Sequence, residues 1–426
     1  MVSDSQKSGI SLRHGIAIYI SSVLGGGILI LPGLAADAAG PSSILAWFIL
    51  SVASFPFAYT FSRLAMRSRV SGGIYAFTRE AFGTKTGNSV GWLFLAWVAL
   101  GAPAVAVAAG TYLSYAIPLN RIEIFIVAFI LIFSVTIINY RGIRFSANLQ
   151  LFIIILLLSL LALSIISAGA RISVSDFIPF FKRNSFASIG TAMALVVWAY
   201  FGYENVPNLA GEFKDLQRDM RRSVFYSVII ISILYVSVSV VTVGTGAYRS
   251  GNGLVPFAVI LSGVFGIYGG LAAGVIALVA IFSTMNAYIA GVGRLIHEVS
   301  RNGGFPGLIS GRLKKDEPGR SVVLIGILGS VFLILYWILN VPIEDAFLIV
   351  SGIGVVTYIV GSAAGIKLLK EGGWKNGIPW ISLLISIILV VFIGKFMIIS
   401  VVVILVSLAY TLVRERRLKT EDISVP

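Results

Sequence analysis

The chain has 426 residues, 58% of them hydrophobic and 12% charged, and its mean hydropathy of +0.97 means more apolar surface than a soluble domain can hide. Cysteine is absent, which excludes disulfides, thiolate metal sites and cysteine nucleophiles. The net charge of +14 is spread over short connections rather than gathered in a polar domain interleaved with aromatics, which excludes a nucleic-acid partner.

About 20 apolar residues cross a bilayer as a helix. On that template the sequence predicts spans near 14–37, 43–66, 89–117, 122–139, 147–169, 187–211, 222–247, 256–297, 321–340, 344–367, 378–394 and 396–413. The eighth is longer than needed and carries an amphipathic lead-in. The last two are parted only by Gly394-Lys395. Lys7 and Arg13 before the first run, with Ala36-Asp37-Ala38 at its end, give the outline of a signal peptide. The length of that run, its glycines and the similar runs behind it argue against cleavage. No soluble domain interrupts the pattern, so a single all-α, polytopic membrane domain of 12 transmembrane helices is expected.

Twelve spans put both termini on one side. The loops of the other side hold Arg121, Arg171, Lys182, Arg183, Arg249 and Lys395, leaving 26 of the 32 Lys and Arg on the terminal side. The positive-inside rule then predicts cytoplasmic termini and a place in the cytoplasmic membrane. His14 and His297 lie in basic, segment-end contexts and read as solvated end residues. Arg79-Glu80 reads as a gating ion pair or a solvated face.

Span one contains "SSVLGGGILILPG", Ser21–Gly33. Each glycine costs a helix roughly 1 kcal/mol relative to alanine, and Pro32 follows. Span six, "ALVVWAYFGYENVPNLAGEF" (Ala194–Phe213), carries Gly202 and Pro207 at its middle. The two interruptions sit five spans apart. Five is odd, so the groups 14–169 and 187–367 have opposite orientation, with 378–413 as two appended helices. Paired breaks at matching places point to an inverted-repeat transporter with a midplane site. Unwinding frees backbone groups that lipid cannot satisfy. The freed N–H groups of Gly26, Gly27 and Ile28 head a new half-helix and suit a carboxylate. Carbonyls near Trp198 to Phe201 end a half-helix and suit an ammonium. Gly25 and Gly33 also fit a role in close helix packing.

Glu204 lies just past the second break, and a carboxylate inside a membrane is a functional candidate. It can accept the freed N–H bonds, carry a proton, or tie span six to a neighbour. On span eight, Ala280 offers a carbonyl with the hydroxyls of Ser283 and Thr284 three and four residues on, along one helix face. Those hydroxyls can equally bond back to their own helix. No nucleotide-binding loop, metal cluster or nucleophile–base pair is present, so neither an enzyme nor a cofactor is expected.

The stretches "GGGILILPGLAADAAGP", "SGGIYAFTREAFG" (Ser71–Gly83), "WAYFGYEN" with "EFKDLQRDMRRS" (Glu212–Ser223), and "STMNAYIAGVGRLIHEVSRNGGFP" (Ser283–Pro306) occur in the order of the signatures of the amino acid–polyamine–organocation superfamily, which the chain resembles over nearly its whole length. "SANLQ" (Ser146–Gln150) and "GWLFLAWVALGAPAVAVAAG" (Gly91–Gly110) are most similar to the bacterial exporters of methionine and branched-chain amino acids. The resemblance implies a LeuT-like fold: a five-plus-five inverted repeat with helices one and six broken, plus two extra helices. It places Ser22 and Gly26 at the substrate's main-chain groups, Trp198 and Phe201 as side chains that close over it, and Tyr288 as an aromatic lining. It gives Glu204 a gating role. It also sets Ala280, Ser283 and Thr284 against first-helix carbonyls near Ser21 and Leu24 as a sodium site. Where some proton-coupled relatives carry a lysine, this chain has Leu157, so lysine does not replace sodium here. Sodium and protons remain the two coupling ions.

The pocket candidates Val23, Ala104, Phe201 and Tyr288 are apolar, so the expected function is alternating-access transport of neutral, apolar amino acids, in the manner of an exporter. A carrier of cationic amino acids or polyamines, with Glu204 as counter-charge, and a non-transporting amino-acid sensor are the alternatives. The small-molecule substrate and the lipid bilayer are the expected partners; the sequence leaves the oligomeric state open.

Overall fold

The computed structural model describes residues 10–68, 73–142, 147–181, 185–204, 210, 212–249, 251–306, 319–370 and 372–423. Pro207, Ser71 and Gly72 lie outside the described residues. The described chain is helical, with no named strand; the one extended pairing is an isolated parallel bridge between Ile10 and Phe213.

The helices are α1 (Leu12–Val23), α2 (Gly27–Ala39), α3 (Ser43–Ser68), α4 (Gly73–Phe82), α5 (Thr84–Ala116), α6 (Arg121–Tyr140), α7 (Ala147–Ala168), α8 (Ser185–Val196), α9 (Arg221–Gly244), α10 (Pro256–Phe265), α11 (Ile267–Arg301), α12 (Gly319–Ile338), α13 (Ile343–Leu368), α14 (Ile378–Ile393) and α15 (Met397–Ile423). Among the described residues, nine helical stretches are long and apolar enough to cross a membrane; α2–α3 and α14–α15 each form one of them, and α8 and α10 are shorter.

Local chemistry explains many of the ends. Asn120 caps α6 through its side chain, accepting from Glu123 N–H while the Glu123 carboxylate takes the Asn120 N–H. Pro256 starts α10, and Pro at the first helical turn loses no bond it would have made. Gly266, at φ 58°, separates α10 from α11. The unbroken run read over 256–297 is therefore two helices, because one glycine in a left-handed conformation turns the chain where the hydropathy does not change. The segment read as a loop after span two folds as α4. Its apolar residues Ile74, Tyr75, Phe77 and Ala81 are buried, whereas Arg79 and Glu80 are exposed.

Helix α5 is the most enclosed of the long helices and packs against α11, α6, α12 and α13. Helices α14 and α15 turn most of their apolar side chains outward, as lipid contact requires. His14 is exposed and bonds Ser11 Oγ through Nδ1 at 2.8 Å. His297 is not solvated: it is 8% exposed, because its face of α11 packs into the bundle.

Candidate substrate site

Helix α1 ends when Leu24 turns to ψ 73°, its N–H still closing onto Ile20 O. Gly25 N–H folds back onto Val23 O at 2.8 Å, and the amides of Ile28 and Leu29 close short turns onto Gly25 O and Gly26 O at 3.4 and 3.2 Å. The first amides of a helix have no partner inside it, and here those of Gly26 and Gly27 are left open among the described residues. The Ile28 amide, read from sequence as a third donor, is already engaged. A Cβ on Gly26 would meet Ile281 Cγ1 at 2.8 Å, and one on Gly25 would meet Thr284 Cγ2 at 3.1 Å. Missing side chains thus let α11 approach the break. Gly33 serves packing alone: a Cβ there would collide with the Gly253 carbonyl.

The second break follows α8. A 3-10 turn runs over Val197–Tyr200, and Phe201 then extends at ψ 149°. Gly202 adopts φ 131°, and a Cβ there would strike the backbone of Ser22. The two breaks therefore touch. Ser22 Oγ donates to Gly202 O at 2.9 Å. Glu204 is 2% exposed; its Oε2 accepts the Gly202 N–H at 2.7 Å and the Tyr358 hydroxyl at 2.6 Å. The Tyr235 hydroxyl, on α9, lies 2.8 Å from Ala199 O and 3.2 Å from Val23 O. A phenol has one proton to donate, so one donor serves carbonyls of both breaks.

Between the breaks lies a cavity of about 60 Å³. Of the residues singled out from sequence, Val23, Gly25, Gly26, Gly27, Trp198, Phe201, Thr284 and Tyr288 line it. Trp97, Val98, Gly101, Ala102, Val105, Met285 and Ile289 line it as well and escaped the sequence reading. No charged side chain is among the described lining. Ala104 and Ile28 are buried and stand outside the lining. On α5 the lining positions 97, 98, 101, 102 and 105 share one helical face, and Ala104, three residues from 101 and seven from 97, lies buried at the edge of that face without reaching the cavity. Trp97 stands edge-on to Phe201 with centroids 5.0 Å apart, and Trp198 packs 4.6 Å from Phe347.

A larger cavity of about 630 Å³ adjoins the first, Thr284 and Tyr288 lining both. It gathers Ser21, Ser22, Leu24, Leu157, Glu204, Ala280 and Ser283, with Glu212, Arg294 and Glu298 also on its wall. Thr284 Oγ1 donates to Ala280 O at 2.9 Å, and Ser21 Oγ to Ile18 O at 2.9 Å. Among the described residues no group of three His, Cys, Asp or Glu is placed to hold a metal. Glu80 pairs with Arg67 at 2.6 Å, both half-exposed; such a pair contributes little stability.

The comparisons with known proteins agree with this architecture. The amino acid permease family model matches residues 10–413. The uncharacterized amino acid permease YecA of Bacillus subtilis is 30% identical over 378 residues, 88% of each chain. The L-methionine/branched-chain amino acid exporter YjeH of Escherichia coli is 28% identical over 370 residues, 85% of this chain and 87% of its own. The arginine/agmatine antiporter of Chlamydia felis is 26% identical over 383 residues, 85% of this chain and 78% of its own. A match of this extent, on a multi-pass helical chain with two touching helix breaks around a small cavity, shows that the protein belongs to the amino acid permease family and is a membrane transporter rather than an enzyme.

Proposed function

We propose that the protein is a secondary transporter that carries neutral, apolar amino acids across the cytoplasmic membrane by alternating access. One observation carries the reading: the cavity between the breaks has open Gly26 and Gly27 amides at the head of α2 and no charged side chain on its described walls. The positive end of α2 suits a carboxylate. Carbonyls of the second break suit the ammonium, and the walls of Val98, Ala102, Val105, Met285 and Ile289 suit an aliphatic or thioether side chain.

The same reading takes the chain as twelve spans in two inverted groups of five plus two, with cytoplasmic termini. The larger cavity then faces the cytoplasm. Similarity to an exporter supports outward movement of substrate. Sodium is a candidate coupling ion because Leu24, Ala280, Ser283 and Thr284 line one cavity; Glu204, lining the same cavity, is the candidate for protons.

A cationic substrate is the second reading, favoured by Glu204, whose Oε1 is buried without a hydrogen bond to any described residue. Counterflow in proteoliposomes, across labelled methionine, leucine, isoleucine, valine, lysine and aspartate, with and without sodium and a pH gradient, separates the two. Exchange of the first four and not of lysine is expected. Exchange of lysine alone overturns the substrate class. Thermal stabilisation by an amino acid without any counterflow overturns transport and leaves a sensor.

A further inference from the structure

One face of α11 runs from the small cavity along the larger one. Thr284 and Tyr288 line both, and Gly291, Arg294 and Glu298 continue along the larger. Steps of three and four residues keep these positions on one side of the helix. The rise from Tyr288 to Arg294 is about 9 Å at 1.5 Å per residue, which sets the charged residues clear of the inner cavity. Gly291, between them, faces open space: a Cβ there would meet nothing within 4 Å. Gly25 and Gly26 differ, because atoms of α11 meet their Cβ positions at 3.1 and 2.8 Å.

The larger cavity has the charge that the small one lacks. Arg294 and Glu298 are exposed and one helical turn apart, about 6 Å along the axis. Arg79 of α4 acts on the Glu298 charge. Glu212 lines the cavity too, and its backbone is held in place: the Ile10 N–H donates to Glu212 O at 2.8 Å. The lining therefore carries both signs rather than an acidic cluster. Ile153 and Ile154 of α7 and Leu295 of α11 supply apolar surface beside it. The space, about 630 Å³ against about 60 Å³ inside, falls in the range of small-molecule sites.

We propose that the larger cavity holds a second, weaker site for a zwitterionic amino acid, with its carboxylate at Arg294, its ammonium at Glu298 and its side chain on the isoleucines of α7. A substrate there waits on the same face of α11 that leads to the inner cavity. The inner site reads the charged head through backbone groups of the two breaks, whereas this one reads it through ion pairs. Exposed ion pairs in an open, wet space are screened. The dissociation constant is therefore about 1–10 mM, and a titration at micromolar substrate reports the inner site alone. The proposal rests on the amino-acid transport reading and adds a site to it.

The chain has no cysteine, and Gly291 is exposed, so Gly291→Cys places a single thiol between Tyr288 and Arg294. Its reaction with a maleimide is timed in purified protein that also carries Gly26→Leu, which fills the inner cavity. Leucine should slow the reaction, half-maximally at about 1–10 mM and by about tenfold at about ten times that concentration. Leucinamide, which lacks the carboxylate, and 4-methylpentanoate, which lacks the ammonium, should not protect the thiol at the same concentrations. Adding Arg294→Gln should remove the protection by leucine. A rate without leucine within about twofold of the parent's shows that the cavity is intact in that variant; if it does not fold, Glu298→Gln takes its place. No protection at about 100 mM leucine overturns the proposal. So does protection that leucinamide matches, or that survives the loss of the charge. Should Gly26→Leu not purify as one species, Gly291→Cys alone must show protection in two concentration ranges, and a single range overturns the site. Counterflow by the unmodified protein is scored separately: its absence beside intact protection removes transport and leaves the site standing.

Discussion

The two helix breaks solve one problem in opposite ways. At the first, between α1 and α2, the chain deletes side chains: Gly25 and Gly26 bring α11 close, Gly27 lies against Trp198 and Ala199 of the second break, and two amides are left pointing nowhere within the helix. At the second, after α8, the chain adds large ones. Trp198, Tyr200, Phe201 and Tyr203 crowd the turn, Tyr235 covers Ala199 O, and Glu204 covers Gly202 N–H. Unpaired backbone groups in an apolar interior cost several kcal/mol each. Among the described residues the second break covers Ala199 O and Gly202 N–H with side chains, while the first leaves the Gly26 and Gly27 amides open. On the proposed function, the division of labour is between a break that binds and a break that is braced.

Substitutions that exchange those roles test the contrast. The largest effect is expected from Gly26→Leu, whose Cβ alone falls 2.8 Å from Ile281 Cγ1 and whose branch fills a cavity of about 60 Å³. Substrate binding measured by calorimetry should vanish while the protein still purifies as one species. Unchanged affinity would mean that the first break is not the carboxylate site, and a methyl-ester substrate that binds as well as the free acid would say the same.

Bracing is tested next. Glu204→Gln keeps an acceptor oxygen but loses the charge that holds Gly202 N–H and the Tyr358 hydroxyl, bonds worth roughly 1.5–3 kcal/mol when charge-assisted. Thermal stability or affinity should fall, and the parent's response of exchange to pH should persist. A pH profile flattened in this variant would instead make Glu204 the proton carrier.

Tyr235→Phe removes a single hydroxyl from two carbonyls, an expected loss of about 1–2 kcal/mol. Binding should weaken by about 5- to 30-fold, and unmodified substrates should lose less than those with a methylated amine if a freed carbonyl takes up the ammonium. Equal losses across both would leave Tyr235 as a brace only.

The smallest effect is expected from Ser283→Ala with Thr284→Val. The Thr284 hydroxyl bonds its own helix at Ala280 O, so basal exchange should stay within about twofold, and any stimulation by sodium should disappear. Sodium stimulation that survives the double change places the ion elsewhere.

Much of this was legible in the sequence because it rests on hydropathy and on glycine. Three glycines in an apolar run mark the first break, although glycine there also suits close helix packing, and Gly202 marks the second. What escaped depends on direction around a helix. Trp97, Tyr235 and Tyr358 sit in continuous apolar runs, where an aromatic ring facing lipid and one facing a cavity look alike. Ala104, a pocket candidate from sequence, shares the face of α5 that carries 97 and 101, yet it is buried beside the cavity rather than on its lining. The split at Gly266 escaped because hydropathy is the same on both sides of it. Tyr235 had one faint signal: the single aromatic ring in the latter two-thirds of α9, amid aliphatic and hydroxyl residues.

The lack of charged side chains around the small cavity has an electrical consequence. An amino acid with an aliphatic side chain carries one positive and one negative group, and the described walls add neither. Moving an elementary charge across the membrane exchanges about 2.3 kcal/mol with each 100 mV of potential, but a zwitterion in an uncharged cavity presents no net charge to that field. The membrane potential would act on transport only through the coupled ions, so a current accompanying transport would count those ions directly.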